Sequence, residues 1–135
     1  MKVLPNIDFG GDCREALTAY ARILGGTVRA MISHRDMPGM AEGVPEDQLD
    51  RILHGWIDIG EHALMGQDMQ NFDGRKGQNV TVSADSVDEA RLIYDELAAG
   101  GTPIIEFGPQ PWSKGFGFIT DRWGVNWVVD TAGEG

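Results

Sequence analysis

Three side chains at alternate positions, His54, Trp56 and Asp58, give this sequence its most chemically capable face. They interleave with Leu53, Gly55, Ile57 and Ile59, the two-residue alternation of a strand with one side turned to a core. An imidazole titrates near neutral pH, so His54 is a candidate catalytic base or ligand-orienting group. The same pattern also suits a histidine that is simply hydrogen-bonded on a sheet.

A second set lies later in the chain. Asn79 and Thr81 alternate with Val80 and Val82, and Asn126 sits beside Trp127 and Val128. Uncharged hydrogen-bonding groups among apolar ones suit a neutral or anionic small molecule, or bond internally and to water. Trp112, Phe116 and Phe118 offer an aromatic wall or lid, or else pack in the core or against a partner chain. Cys13 falls at a helix start, where the dipole lowers a thiol pKa, but no histidine is near it in sequence. His34 and His62 have no ligand spacing to one another. Glu42, Glu46, Asp47 and Asp50 read as a solvated acidic loop or the rim of a binding site.

The elements that must position these groups come in two similar halves. Asp12-Cys13-Arg14-Glu15-Ala16 returns as Ser86-Val87-Asp88-Glu89-Ala90, Tyr20 as Tyr94, and Gly25-Gly26-Thr27 as Gly100-Gly101-Thr102. Asp12 with Glu15, and Ser86 with Glu89, have the spacing of capping boxes. Apolar stripes follow (Ala16, Tyr20, Ile23, Leu24; Ala90, Ile93, Tyr94, Leu97), and each helix stops at a Gly-Gly pair. Tyr20, Tyr94 and Trp127 belong to the core on this reading. Strands are expected over 3–9, 27–33, 52–60, 62–69, 79–85, 102–107, 116–120 and 125–130. Residues 34–50, with Pro38, Gly39, Gly43 and Pro45, form a long loop able to cover a cavity, and 108–115 form a second loop carrying Trp112. Each half thus reads strand, helix, strand, strand, strand. Module one spans 1–70 and module two 77–131, within one domain of 1–135.

Composition narrows the partners. A net charge of −10, with 11 basic residues scattered among 21 acidic ones, disfavours nucleic acid. One cysteine excludes an intramolecular disulfide and a cysteine-rich zinc site. There is no run of eighteen apolar residues for a membrane span and no apolar stretch of a signal peptide, so a cytoplasmic protein is expected.

Two βαβββ modules resemble the vicinal oxygen chelate superfamily of glyoxalase I, extradiol dioxygenases and bleomycin-resistance proteins. Within it the chain looks most like the PhnB-like branch, also labelled 3-demethylubiquinone methyltransferase-like. The resemblance rests on Pro5, Gly11 with Cys13-Arg14-Glu15-Ala16, Asp36-Met37-Pro38-Gly39, His54 and Ala63-Leu64-Met65-Gly66. It continues in Phe116-Gly117-Phe118-Ile119-Thr120-Asp121 and Gly124-Val125-Asn126-Trp127. It implies an α+β fold, a cupped mixed β-sheet with the helices outside, and modules that pair within or between chains, hence a homodimer.

The resemblance also implies where a divalent metal would be held, by His, Gln and Glu from the first and last strands of each module. Those slots fall on Pro5, Met65, Asn79 and Val128. Pro and Val cannot ligate, Met is a soft donor, and Asn offers only a weak carbonyl. No metal and no other cofactor is therefore expected. No glycine-rich loop follows a first strand to hold S-adenosylmethionine, which argues against the methyltransferase label. Ligand-binding candidates are His54, Trp56 and Met65 in the first module, with Asn79, Thr81, Trp112, Phe118 and Asn126 in the second. The leading expectation is a small-molecule-binding protein. A lyase or isomerase using His54 or an unrecognised metal set, and a homodimer with a vestigial cavity, are the alternatives.

Overall fold

The computed structural model describes residues 1–131; the last four residues of the expected 1–135 domain lie outside the described residues. The chain divides into two compact units, Met1–Asp73 and a second starting at Gly74. Each has the same plan. In the first unit, β1 (Asn6–Phe9) leads through α1 (Cys13–Ile23) to β2 (Thr27–Ser33), β3 (Ile52–Ile59) and β4 (His62–Asp68). The sheet order is β1-β4-β3-β2, with β1 parallel to β4 and the other pairs antiparallel. A four-residue helix, α2 (Pro38–Ala41), lies between β2 and β3. In the second unit, β5 (Val80–Ala84), α3 (Val87–Ala98), β6 (Thr102–Gln110), β7 (Ser113–Thr120) and β8 (Asn126–Thr131) repeat that order as β5-β8-β7-β6. The fold is α+β, two four-stranded mixed sheets with a few helices. No described helix is long and apolar enough to cross a membrane.

Each sheet carries its long helix on one face. On α1, Leu17 and Tyr20 are fully buried, as is Ile57 of β3 beneath. Gly55 and Gly66 have no side chain, which lets Leu17 and Cys13 come down onto the strands. On α3, Ala90, Ile93, Tyr94 and Leu97 face Ile119, Trp127 and Val129, all buried. Tyr94 comes down onto Gly117 as Leu17 does onto Gly55, and its hydroxyl donates to the Ile105 carbonyl at 3.1 Å. Burying one such large side chain is worth about 1.5–3 kcal/mol, so these stripes are what hold helix to sheet.

The repeated Gly-Gly-Thr has a double cause. Gly25 and Gly100 take φ of +71° and +77°, the left-handed turn that ends a helix. Their neighbours Gly26 and Gly101 lie so close to the Asp58 and Thr120 carbonyl oxygens that a Cβ would overlap them.

The helix starts differ from one another. Ser86 accepts the Glu89 N–H at 3.1 Å, and Glu89 accepts the N–H of Asp85 at 3.1 Å, close to the expected box. At α1 the expected box is not formed, because Asp12 makes no side-chain cap hydrogen bond. Asp68 of β4 reaches across instead, accepting the N–H groups of Gly11 at 2.9 Å and Cys13 at 3.1 Å. Its second oxygen accepts the Ile52 N–H at 2.8 Å, so one carboxylate joins α1, β3 and β4.

One of the two expected loops also changes. The 108–115 loop is replaced by strand, with β6 and β7 running to a tight turn at Pro111-Trp112. β6 is an edge strand with three irregularities against β7, and an edge tolerates Pro103 and Pro109. Residues 34–50 are braced rather than loose. Arg35 bonds Asp50 at 2.9 Å and Glu46 at 3.3 Å, while Asp36 accepts the Ser33 N–H and hydroxyl. The Arg35 hydrogen bond lowers the Asp50 pKa, and the Ser33 bonds lower that of Asp36.

Candidate functional site

The faces of the two sheets away from the helices carry the candidates. In the first unit, cross-strand register aligns Asn6, Met65, Trp56 and Ala30 as one row across all four strands. Side chains in such a row share a face and touch their neighbours. His54 lies two residues from Trp56 on β3, and its ring meets the indole edge-on at 6.1 Å between centroids. His54, Trp56 and Met65 are therefore brought together. All three are half-buried.

Asp58, already expected on this face, and Arg29, absent from the sequence-based candidates, complete it. Trp56 donates its indole N–H to Asp58 at 2.8 Å. Arg29 sits 5.1 Å from the Trp56 ring centre and 3.8 Å from the Asp58 carboxylate. Arg29 lies at an irregularity of β2 between Val28 and Ala30, and such bulges re-aim a side chain. The ion pair is more than a third exposed on both sides, so it orients the indole more than it stabilises the fold. Further along the face, Gln67 donates to Asp8 at 2.9 Å.

In the second unit, Thr81, Val128, Phe118 and Ile105 form the corresponding row. Asn126 shares the face, and its side-chain oxygen accepts from Thr120 at 2.6 Å, so part of its hydrogen-bonding capacity is already used. Trp112 lies at the β6–β7 turn, 63% exposed, and meets Phe116 edge-on at 5.3 Å. It is therefore not part of the core. Asn79 precedes β5 and is exposed, outside the row that holds Thr81. A next row, which the sequence reading missed, sets Ser83, Asp130 and Phe116 side by side, with Ser83 hydrogen-bonded to Asp130. Of the neutral or anionic ligand expected from Asn79, Thr81 and Asn126, that carboxylate disfavours the anionic form. Parallel pairing of β5 with β8 spans 47 residues, so only the register reveals it.

The same register tests the metal slots. Met65 has Asn6 rather than Pro5 as its row partner, and Val128 has Thr81 rather than Asn79. Neither choice supplies a His or Glu. Among the described residues, no three His, Cys, Asp or Glu side chains come together as a metal ion requires. The side chains present do not fit the divalent metal that the superfamily resemblance implies.

Cys13 is not a nucleophile of this site. As the first residue of α1 it is fully buried against the sheet, and burial, then the charges of Asp68 and Asp12, push its thiol up to about 12. Desolvation outweighs the helix-start effect expected from sequence. His34 bonds the Met40 carbonyl within the braced loop, and His62 is exposed at the start of β4.

Known proteins agree with this plan. A curated relative, YjdN of Escherichia coli K12, is 29% identical over 96% of this chain and 95% of its own. The crystal structure of protein PA1353 from Pseudomonas aeruginosa superposes with a TM-score of 0.88 at 36% identity, covering 97% of both chains. A putative 3-demethylubiquinone-9 3-methyltransferase, PhnB protein, from Bacillus cereus has the same fold, with TM-score 0.82 at 20% identity over 98% of this chain and all of that one. Residues 9–129 match the family described as glyoxalase/bleomycin resistance protein/dioxygenase superfamily, and the chain belongs to it.

Proposed function

We propose that this chain is a small-molecule-binding protein of the PhnB-like branch, working without the superfamily's metal, as a cytoplasmic homodimer. One observation carries the reading. In both units the row that should hold ligating groups instead sets an aromatic side chain beside an apolar one, Trp56 by Met65 and Phe118 by Val128. Such rows offer contact area and shape, which a binder uses, and no Lewis acid, which the metal-dependent reactions need. Exposed Ile104 and Ile105 on edge strand β6 support association with a second copy.

Native mass spectrometry and elemental analysis of protein purified without chelator test it. The expected result is a co-purified organic molecule, or saturable quenching of tryptophan emission by a small-molecule panel, with far less than one equivalent of zinc, nickel, manganese or iron. A full equivalent of metal retained through dialysis refutes the metal-free reading. A second reading, an enzyme with His54 as base, is favoured by one fact. Among the described residues the His54 ring makes no hydrogen bond, so both nitrogens are available to a substrate.

A further inference from the structure

We propose that the helix-free face of the second unit takes the cationic group of an organic ligand, a protonated or quaternary amine attached to a flat or apolar body. The group would sit at Asp130, between Ser83 and the Phe116–Trp112 pair. This rests on the small-molecule-binding reading above and gives it a ligand class.

The geometry places three different chemistries in one row. Asp130 of β8 is in register with Ser83 of β5 on one side and Phe116 of β7 on the other. Neighbours in such a row stand about 5 Å apart, so the three span about 10 Å, the width of one small ring system. The Ser83 hydroxyl donates to one carboxylate oxygen and fixes its orientation. Among the described residues the other oxygen has no hydrogen bond or ion pair.

Beside the carboxylate, Trp112 stands at 81° to Phe116, so the two rings form an open corner rather than a stack. Aromatic faces carry negative potential, and a cation held against them is attracted. Phe116 and Asp130 are both half-buried, which leaves their fields less screened than on an open surface. The adjoining row of Thr81, Val128 and Phe118 gives the ligand's body an apolar floor. The chain's charge of −10 favours the approach of cations.

One positive group shares the face. Lys114, two residues before Phe116, is exposed and makes no ion pair among the described residues. It is an ordinary solvated lysine on a flexible stem, so it competes weakly for Asp130. The corresponding step of the first unit is different: there the carboxylate, Asp8, is capped by the Gln67 amide. The cation preference therefore belongs to the second unit.

The test uses benzyltrimethylammonium, its neutral isostere neopentylbenzene, and the anion benzenesulfonate, with binding followed by calorimetry and ligand NMR. The cation should bind at least about tenfold more tightly than either analogue, the size of one desolvated cation–π contact with a carboxylate. Asp130→Asn keeps the shape and the Ser83 contact. It should erase that preference and leave neopentylbenzene within about twofold of its original affinity. Trp112→Phe should weaken the cation less than Asp130→Asn does, and Lys114→Ala should leave it unchanged or tighter. Should Asp130→Asn fail to fold, added salt on the unaltered protein replaces it: cation binding should weaken and neutral binding should not. Equal binding of cation and isostere overturns the charge assignment and leaves the binding reading standing. Loss of all three probes overturns both.

Discussion

Gly26 is packed against the backbone carbonyl of Asp58 with no room for a side chain. Gly101 stands in the same relation to Thr120. In both units this contact seats the strand after the helix against the far end of a neighbouring strand. The obstructing atom is backbone, so nothing flexible can move aside. Gly26→Ala should therefore destabilise the first unit by about 3 kcal/mol in urea denaturation, in the range of core overpacking. Gly25→Ala, strained only by its positive φ, should cost about 1 kcal/mol. Equal costs at the two positions would contradict this account.

Asp68→Ala removes acceptors for three backbone N–H groups at once. A helix cap is worth about 1 kcal/mol and each further hydrogen bond a similar amount, so the loss should be about 2–3 kcal/mol. Ser86→Ala breaks a single cap bond and should cost about 1 kcal/mol. Chemical denaturation of the two variants side by side checks the difference.

The contrast between those two caps shows what was legible in sequence. Ser86 and Glu89 are three residues apart, so the cap is written locally. Asp68 lies 55 residues from Cys13, and only the parallel pairing of β1 with β4 brings it there. The same holds for the site. The alternation of His54, Trp56 and Asp58 is local and correctly shows a shared face. The joining of Ser83 to Asp130 depends on a register that local spacing does not contain. Gly108 and Pro109 misled in the other direction. Their composition reads as loop, but an edge strand bonded on one side only accommodates proline and irregular register.

Cys13 should be inert in the folded protein. With its pKa pushed up to about 12, roughly one thiol in ten thousand is ionised at pH 8, and a disulfide reagent should react only after unfolding. The linkage has a definite sign. Folding favours the protonated thiol, so its contribution is fully present below the unfolded value near 9.0 and is lost as pH rises towards 12. Stability of the unaltered protein should thus fall over that window more steeply than that of Cys13→Ala. Rapid labelling of native protein at pH 8 would overturn the assignment.

Light scattering should report a homodimer at micromolar concentration. Ile104 is 53% exposed and Ile105 39%, side by side on an edge strand that its own prolines and irregularities protect from further strand pairing. Side-chain contact with a second copy is the remaining way to cover them. Ile104→Lys should shift the equilibrium toward monomer while leaving the melting of the separated chain little changed. A clean monomer of the unaltered protein sinks the expectation.

His54→Ala separates a binder from an enzyme. The ring meets the Trp56 edge and makes no hydrogen bond among the described residues, so its removal leaves no buried polar partner stranded. The fold should be affected by less than about 1 kcal/mol. If the face only binds, a ligand that quenches Trp56 loses one contact, about 0.5–1.5 kcal/mol, and any turnover assay stays blank before and after. If His54 is a base, affinity persists and turnover falls by about 10²–10⁴-fold. Trp56→Phe, which keeps the ring and drops the indole N–H to Asp58, identifies the reporter by abolishing most of the quenching. A ligand whose binding and turnover ignore both substitutions does not occupy the first unit's face.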